Sequence, residues 1–297
     1  MKTKELIISK CLVLLLLLFI NVQSIDAQNP MKKSKQPEKI TGYAPVNGMK
    51  LYYEVYGEGE PILLLHGAFM SIDMNWSELI PELSKTRKVI AIEMQGHGRT
   101  ADIERPISYE GLASDAAGVL QYLKLKNVDV IGYSLGGTVA FQLAIKNPEL
   151  VNKLVILSST YKSDGWLPEV KAMFQSFQPD FFDNTPLYAE YKRLAPDAGH
   201  WHKFIGKMIE SEKKEYSLGD ENMKNIKSPT LLIMGDNDGV DLKQTASMYR
   251  LLGGGVSGDI AGLPKSQLAI IPGMTHVSLM MSTDKLIPMI NTFLNTK

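Results

Sequence analysis

The sequence predicts an α/β protein: a doubly wound, mostly parallel sheet of about eight strands, with a helical cap inserted over one end. Three observations point there. Six short apolar runs, "PILLLHG", "KVIAIEMQG", "VDVIGYS", "KLVILSS", "PTLLIMGD" and "QLAIIPG", each end in glycine or small polar residues, the pattern of strands buried on both faces. Between them, "MNWSELIPELSKT", "YEGLASDAAGVLQYLK", "GTVAFQLAIKN" and "TDKLIPMINTFLNT" place apolar residues at helical spacing, and strands alternating with helices build a parallel sheet. The alternation lapses once, between about 160 and 227, where aromatic residues gather among prolines and charges without a comparable apolar strand.

Taken in order, the chain opens with Lys2, Lys4 and Lys10 around an apolar stretch that runs from Leu6 to Ile20, followed by "SIDAQ". This reads as a secretory signal over residues 1–27, cleaved after Ala27, and it implies export to the periplasm or beyond. The competing reading is a retained membrane anchor, but the uninterrupted run is short for a bilayer. The one cysteine, Cys11, lies at the start of that run, so the mature chain would carry no disulfide, thiol nucleophile or thiolate-bound zinc. Residues 28–40 are polar and rich in lysine and proline and read as a flexible leader.

The globular domain spans 41–297. It begins with "TGYAPVNGMKLYYEVYG", where Asn47-Gly48 between alternating runs signals a hairpin of two antiparallel strands. The insert concentrates Trp166, Phe174, Phe177, Phe181, Phe182, Tyr188, Tyr191 and Trp201. As a group these suit an apolar lid over a pocket, with Trp166 and Trp201 as expected substrate contacts. Across the whole chain, 32 basic residues balance 32 acidic ones, so no net field favours nucleic acid or an anionic membrane. A small-molecule substrate is the expected partner, with no cofactor, no metal and no stable membrane association after cleavage.

Chemistry in such a sheet belongs at the carboxyl ends of the strands. There, Gly132-Tyr133-Ser134-Leu135-Gly136 forms G-x-S-x-G directly after a strand and before a helix. A phosphate loop would need lysine where Thr138 stands, and a dinucleotide loop would need a different glycine spacing. A serine hydroxyl needs a base and the base an orienting acid. Of five histidines, His276 alone follows a late strand, in "IIPGMTHVSL". Asp236 and Asp238 both follow the strand "LLIMGD", and Asp238 lies farther out on the loop, where it can turn to the histidine; Asp259 is a remote third choice.

With "HGAF" after the third strand, "GHGRT" after the fourth, "GYSLGG" at the elbow, "GDND" after the seventh and "GMTH" after the eighth, the chain from Thr41 to the last helix resembles the α/β-hydrolase-fold superfamily. The resemblance implies Ser134 as nucleophile, Asp238 as acid and His276 as base. It also implies an oxyanion hole from the backbone N–H of Leu135 and of Ala68 or Phe69, with His66 bracing its loop. Glu93 stands where many relatives carry aspartate and reads as structural. The expected reaction is hydrolysis of a small carboxylic ester through an acyl-enzyme. Lactone, amide or carbon–carbon hydrolysis, perhydrolysis, or a receptor with little turnover are the alternatives.

Overall fold

Residues 37–296 are described by a computed structural model. The expected signal, Cys11 and most of the leader lie outside the described residues, and among those described no helix is long and apolar enough to cross a membrane.

The hairpin forms as its turn chemistry demands. Strands β1 (Lys39–Val46) and β2 (Met49–Tyr56) pair antiparallel, with Val46 opposite Met49. Between them Asn47 and Gly48 both have positive φ, 49° and 84°, the conformation that a two-residue turn matched to strand twist requires. Six further strands follow: β3 (Pro61–Leu65), β4 (Lys88–Ile92), β5 (Val128–Tyr133), β6 (Val151–Leu157), β7 (Thr230–Gly235) and β8 (Gln267–Ile271). They are the six apolar runs named above, and they make one sheet of order β1-β2-β4-β3-β5-β6-β7-β8. Only β2 runs against the others.

Side-chain alternation divides the interior into two cores. Leu63, Leu65, Ile90 and Ile92 face a core shared with the helices Tyr109–Tyr122 and Leu135–Lys146. Ile62, Leu64, Val89 and Ala91 face the other, closed by Trp76, Leu79, Leu83 and the terminal helix Thr283–Leu294. The stretch "MNWSELIPELSKT" forms two short helices, Ile72–Trp76 and Ile80–Leu83, instead of one. Pro81 explains the second start, since proline fits the first turn of a helix and not its interior.

Between β6 and β7 the chain leaves the sheet and forms the helices Pro168–Ser176, Pro186–Leu194, Trp201–Lys213 and Asp220–Lys224. Two ionic clasps tie this cap to the loops after β3 and β4. Arg193 binds Asp73 at 2.6 Å while Ser71 donates to Glu190 at 2.7 Å. Lys207 binds Asp102 at 2.7 Å, and His200 meets the same carboxylate at 3.0 Å.

Candidate active site

The turn after β5 explains its glycines by steric exclusion. Ser134 has φ 52° and ψ −118°, a conformation that non-glycine residues rarely adopt and that surrounding structure must enforce. A Cβ on Gly132 would lie 2.3 Å from the Gly136 carbonyl oxygen, and one on Gly136 would lie 2.0 Å from that of Leu65. Gly137 would meet Ser159 at 2.5 Å. Close approach of helix, β3 and β5 thus needs bare backbone at each glycine, and the serine between them is pushed to the strand end.

Two distant loops arrive at that serine. Ser134 Oγ lies 3.0 Å from His276 Nε2, and His276 Nδ1 lies 2.9 Å from Asp238 Oδ1. With Nδ1 facing a carboxylate, its proton points there and Nε2 is left to accept from the serine hydroxyl. Asp238 is itself buried; Ser158 donates to its Oδ2 at 2.5 Å and the Val240 N–H to its Oδ1 at 3.2 Å. Burial works to raise the Asp238 carboxyl, but hydrogen bonding and charge from His276, aided by Ser158, hold it below the usual carboxylate range. Asp236 has a different place: its Oδ1 accepts from the N–H of Gly273 at 2.7 Å and of Met274 at 3.2 Å. It pins the loop that carries His276.

Two contributors went unread in the sequence. Ser158 also holds a positive φ, 48°, and the small polar pair that ends "KLVILSS" is its only sequence signal. The Tyr133 hydroxyl donates to the His276 carbonyl at 3.0 Å, with ring centroids 5.1 Å apart. Nothing in the spacing of those residues foretells that contact.

Of the expected oxyanion donors, the Phe69 N–H points to His97 Nε2 at 3.2 Å. The N–H groups of Ala68 and Leu135 have no such partner among the described residues. His66 is fully buried: its Nδ1 donates to Gly67 O at 2.8 Å and its Nε2 accepts from Met94 N at 3.1 Å. Burial lowers its pKa to about 4, and burial likewise drives His97 well below the usual histidine value. Both are neutral braces. Glu93, also fully buried, binds the N–H of Ile72 and the guanidinium of Arg99, and burial raises its carboxyl to about 7.

The two cap tryptophans part company. Trp166 stands edge-on to His276 with centroids 5.6 Å apart. Trp201 is 2% exposed, packs on Tyr188, Tyr191 and Phe204, and donates its N–H to Asp183 at 2.9 Å. That placement gives Trp201 a packing role inside the cap, because its ring and N–H are already engaged there.

A strained serine, a histidine and a buried carboxylate in sequence at three strand ends can activate a hydroxyl for attack on a carbonyl. A family model for the alpha/beta hydrolase fold matches residues 60–215. The chain is an alpha/beta hydrolase. It is 38% identical over 212 residues to a 2-hydroxymuconate semialdehyde hydrolase of Pseudomonas sp. (strain CF600), covering 64% of this chain and 74% of that one. Among solved structures, the hydrolase resembles a 2-hydroxy-6-oxo-6-phenylhexa-2,4-dienoate hydrolase of Rhodococcus sp. strain RHA1, with TM-score 0.71 at 19% identity over 88% of this chain and 100% of that one. It also resembles the enol-lactonase of Burkholderia xenovorans LB400, with TM-score 0.64 at 22% identity over 86% and 100%.

Proposed function

We propose that the hydrolase cleaves a small carbonyl compound through an acyl-enzyme on Ser134, at a carbon–carbon bond beside a ketone or at a lactone, and not at a simple ester. The hydrogen-bonded line from Ser134 through His276 to Asp238 carries this reading. The relatives supply the bond class: neither a muconate semialdehyde nor a phenylhexadienoate contains an ester or amide, so water can divide them only at a carbon–carbon bond. The ester expectation gives way on that ground.

Ser134 Oγ attacks the carbonyl as His276 takes its proton, and Asp238 stabilises the imidazolium. The N–H groups of Leu135 and Ala68 receive the oxyanion; Phe69, whose N–H is held by His97, drops out of that role. When the tetrahedral intermediate collapses, the leaving carbon or alkoxide takes the proton from His276. Water, deprotonated by His276, then releases the acyl group and restores Ser134. The apolar run at the start of the chain supports export.

Mature protein incubated with a fluorophosphonate is expected to gain one covalent adduct on Ser134, and to hydrolyse vinylogous diketones or enol-lactones faster than matched alkyl esters. An unlabelled Ser134, or esters turned over best, would overturn the respective half of the reading.

A further inference from the structure

The turn after β3 holds a strained residue beside the nucleophile. The Met70 N–H closes this turn on the Gly67 carbonyl at 3.3 Å, and its third residue, Phe69, has φ 63°. A turn of that shape favours glycine there, because a side chain at positive φ crowds the backbone. Phe69 is therefore held in place from outside. The turn also lies against the reacting serine: a Cβ on Gly67 would come within 3.5 Å of Ser134 Cβ.

Two grips hold Phe69, one on its backbone and one on its ring. Its N–H donates to His97 Nε2 at 3.2 Å, while His97 Nδ1, 3.0 Å from the Gln95 carbonyl, carries the proton because a carbonyl only accepts. Nε2 is thus an acceptor, and burial keeps the imidazole neutral. The Phe69 ring stacks on Phe182, with centroids 4.8 Å apart, at the end of the short cap turn Pro179–Phe182. The cap reaches the first grip as well. Phe204 stands edge-on to the His97 ring at 4.8 Å and packs on Gly96, where a Cβ would meet it at 2.5 Å. Two residues past Phe69, Ser71 donates to Glu190 of the cap at 2.7 Å.

We propose that His97 and Phe182 are positioning residues for the reaction: together they hold Phe69 at positive φ, and so hold the neighbouring Ala68 N–H where it meets the oxyanion. The cap then takes part in transition-state stabilisation, beyond covering the site. Without the imidazole acceptor, the peptide between Ala68 and Phe69 is free to turn over to the commoner turn, in which Phe69 has negative φ. The substrate carbonyl carries no full charge before attack, so the loss falls on the transition state far more than on substrate binding. The proposal rests on the reading of Ser134 as nucleophile and of the Ala68 N–H as an oxyanion donor.

Two ligands separate the two states. A trifluoromethyl ketone bonds through its carbonyl carbon to Ser134 Oγ, the hydroxyl proton passes to His276, and the hemiketal oxygen takes the negative charge. The matched methyl ketone, bound in the Ser134→Ala background, reports the ground state. His97→Leu is expected to weaken inhibition by the trifluoromethyl ketone at least ~10-fold and to leave methyl ketone binding within about 2-fold. His97→Gln, which keeps an acceptor near the Nε2 position, is expected to recover most of the loss. Phe182→Leu should show the same split at smaller size. Unchanged inhibition in His97→Leu, no recovery in His97→Gln, or equal losses with both ketones overturns the proposal. Wild-type inhibition of Phe182→Leu overturns it too, and decides the matter even where His97→Leu fails to fold. Failure of wild-type Ser134 to take a fluorophosphonate would instead sink the underlying reading.

Discussion

At the scale of single residues, the two carboxylates after β7 have divided duties that geometry makes separable. Asp238 faces the His276 ring, while Asp236 fastens the backbone of the loop that brings the histidine in. Asp238→Asn is expected to lower kcat by roughly 10,000-fold, the scale seen when a triad histidine loses its orienting charge. Its melting temperature should stay near that of the wild type. Asp236→Asn should lower the melting temperature and leave more of the activity. Steady-state kinetics and thermal melts on the pair decide this, and equal activity losses would reject the division. Ser158 belongs with Asp238: its hydroxyl, held at a positive φ, fixes the carboxylate rotamer that the histidine sees.

At the scale of elements, the cap is a layer with its own small core. Trp201, Phe204, Ile205, Met208 and Ile209 bury one face of the helix Trp201–Lys213, against Tyr191 of the helix Pro186–Leu194. Trp201→Ala should destabilise the protein by about 3–5 kcal/mol, through a cavity among those rings. Trp166→Ala should instead lower kcat/KM with the melting temperature preserved, because that ring is only partly buried and faces His276. Melts and kinetics on both variants check the contrast. The short helices after β3 make a related point about period: "MNWSELIPELSKT" has one helical rhythm, yet Pro81 restarts the helix within it.

At the scale of the whole molecule, buried histidines make stability depend on pH. His66 falls from an ordinary value near 6.5 to about 4 on folding, so between those values the unfolded chain binds the proton first. The stability linked to His66 is therefore complete above about pH 6.5 and is lost as pH falls through 4, a swing of roughly 3 kcal/mol. His97 acts in the same direction. Glu93 opposes them, since its carboxyl, raised to about 7, loses stability as pH rises from its ordinary range to that value. Thermal melts of wild type and His66→Gln from pH 7 to pH 4 should separate these effects. The gap between the two proteins should narrow as the pH drops, and a constant gap would mean His66 does not titrate.

The succession of strands along the chain and the position of Ser134 were legible because they rest on local signals: apolar runs that end in glycine, a turn that needs positive φ, a loop where bulk is forbidden. The relation among Ser134, Asp238 and His276 was legible because each ends a strand. What escaped notice depends on side chains converging from far apart in sequence. Ser158 reaches Asp238 across 80 residues of chain, and the Tyr133 hydroxyl reaches the His276 carbonyl across 143. Trp201 was misjudged for the converse reason, since an aromatic residue in an insert looks alike whether it faces ligand or other rings.

The two clasps that tie the cap down differ in their exposure to water. Arg193 is 54% exposed and its partner Asp73 33%, while Asp102 is 1% exposed and Lys207 16%. Mobile ions screen the first pair far more than the second. Raising ionic strength is thus expected to loosen the Arg193–Asp73 margin of the cap before the Lys207–Asp102 margin.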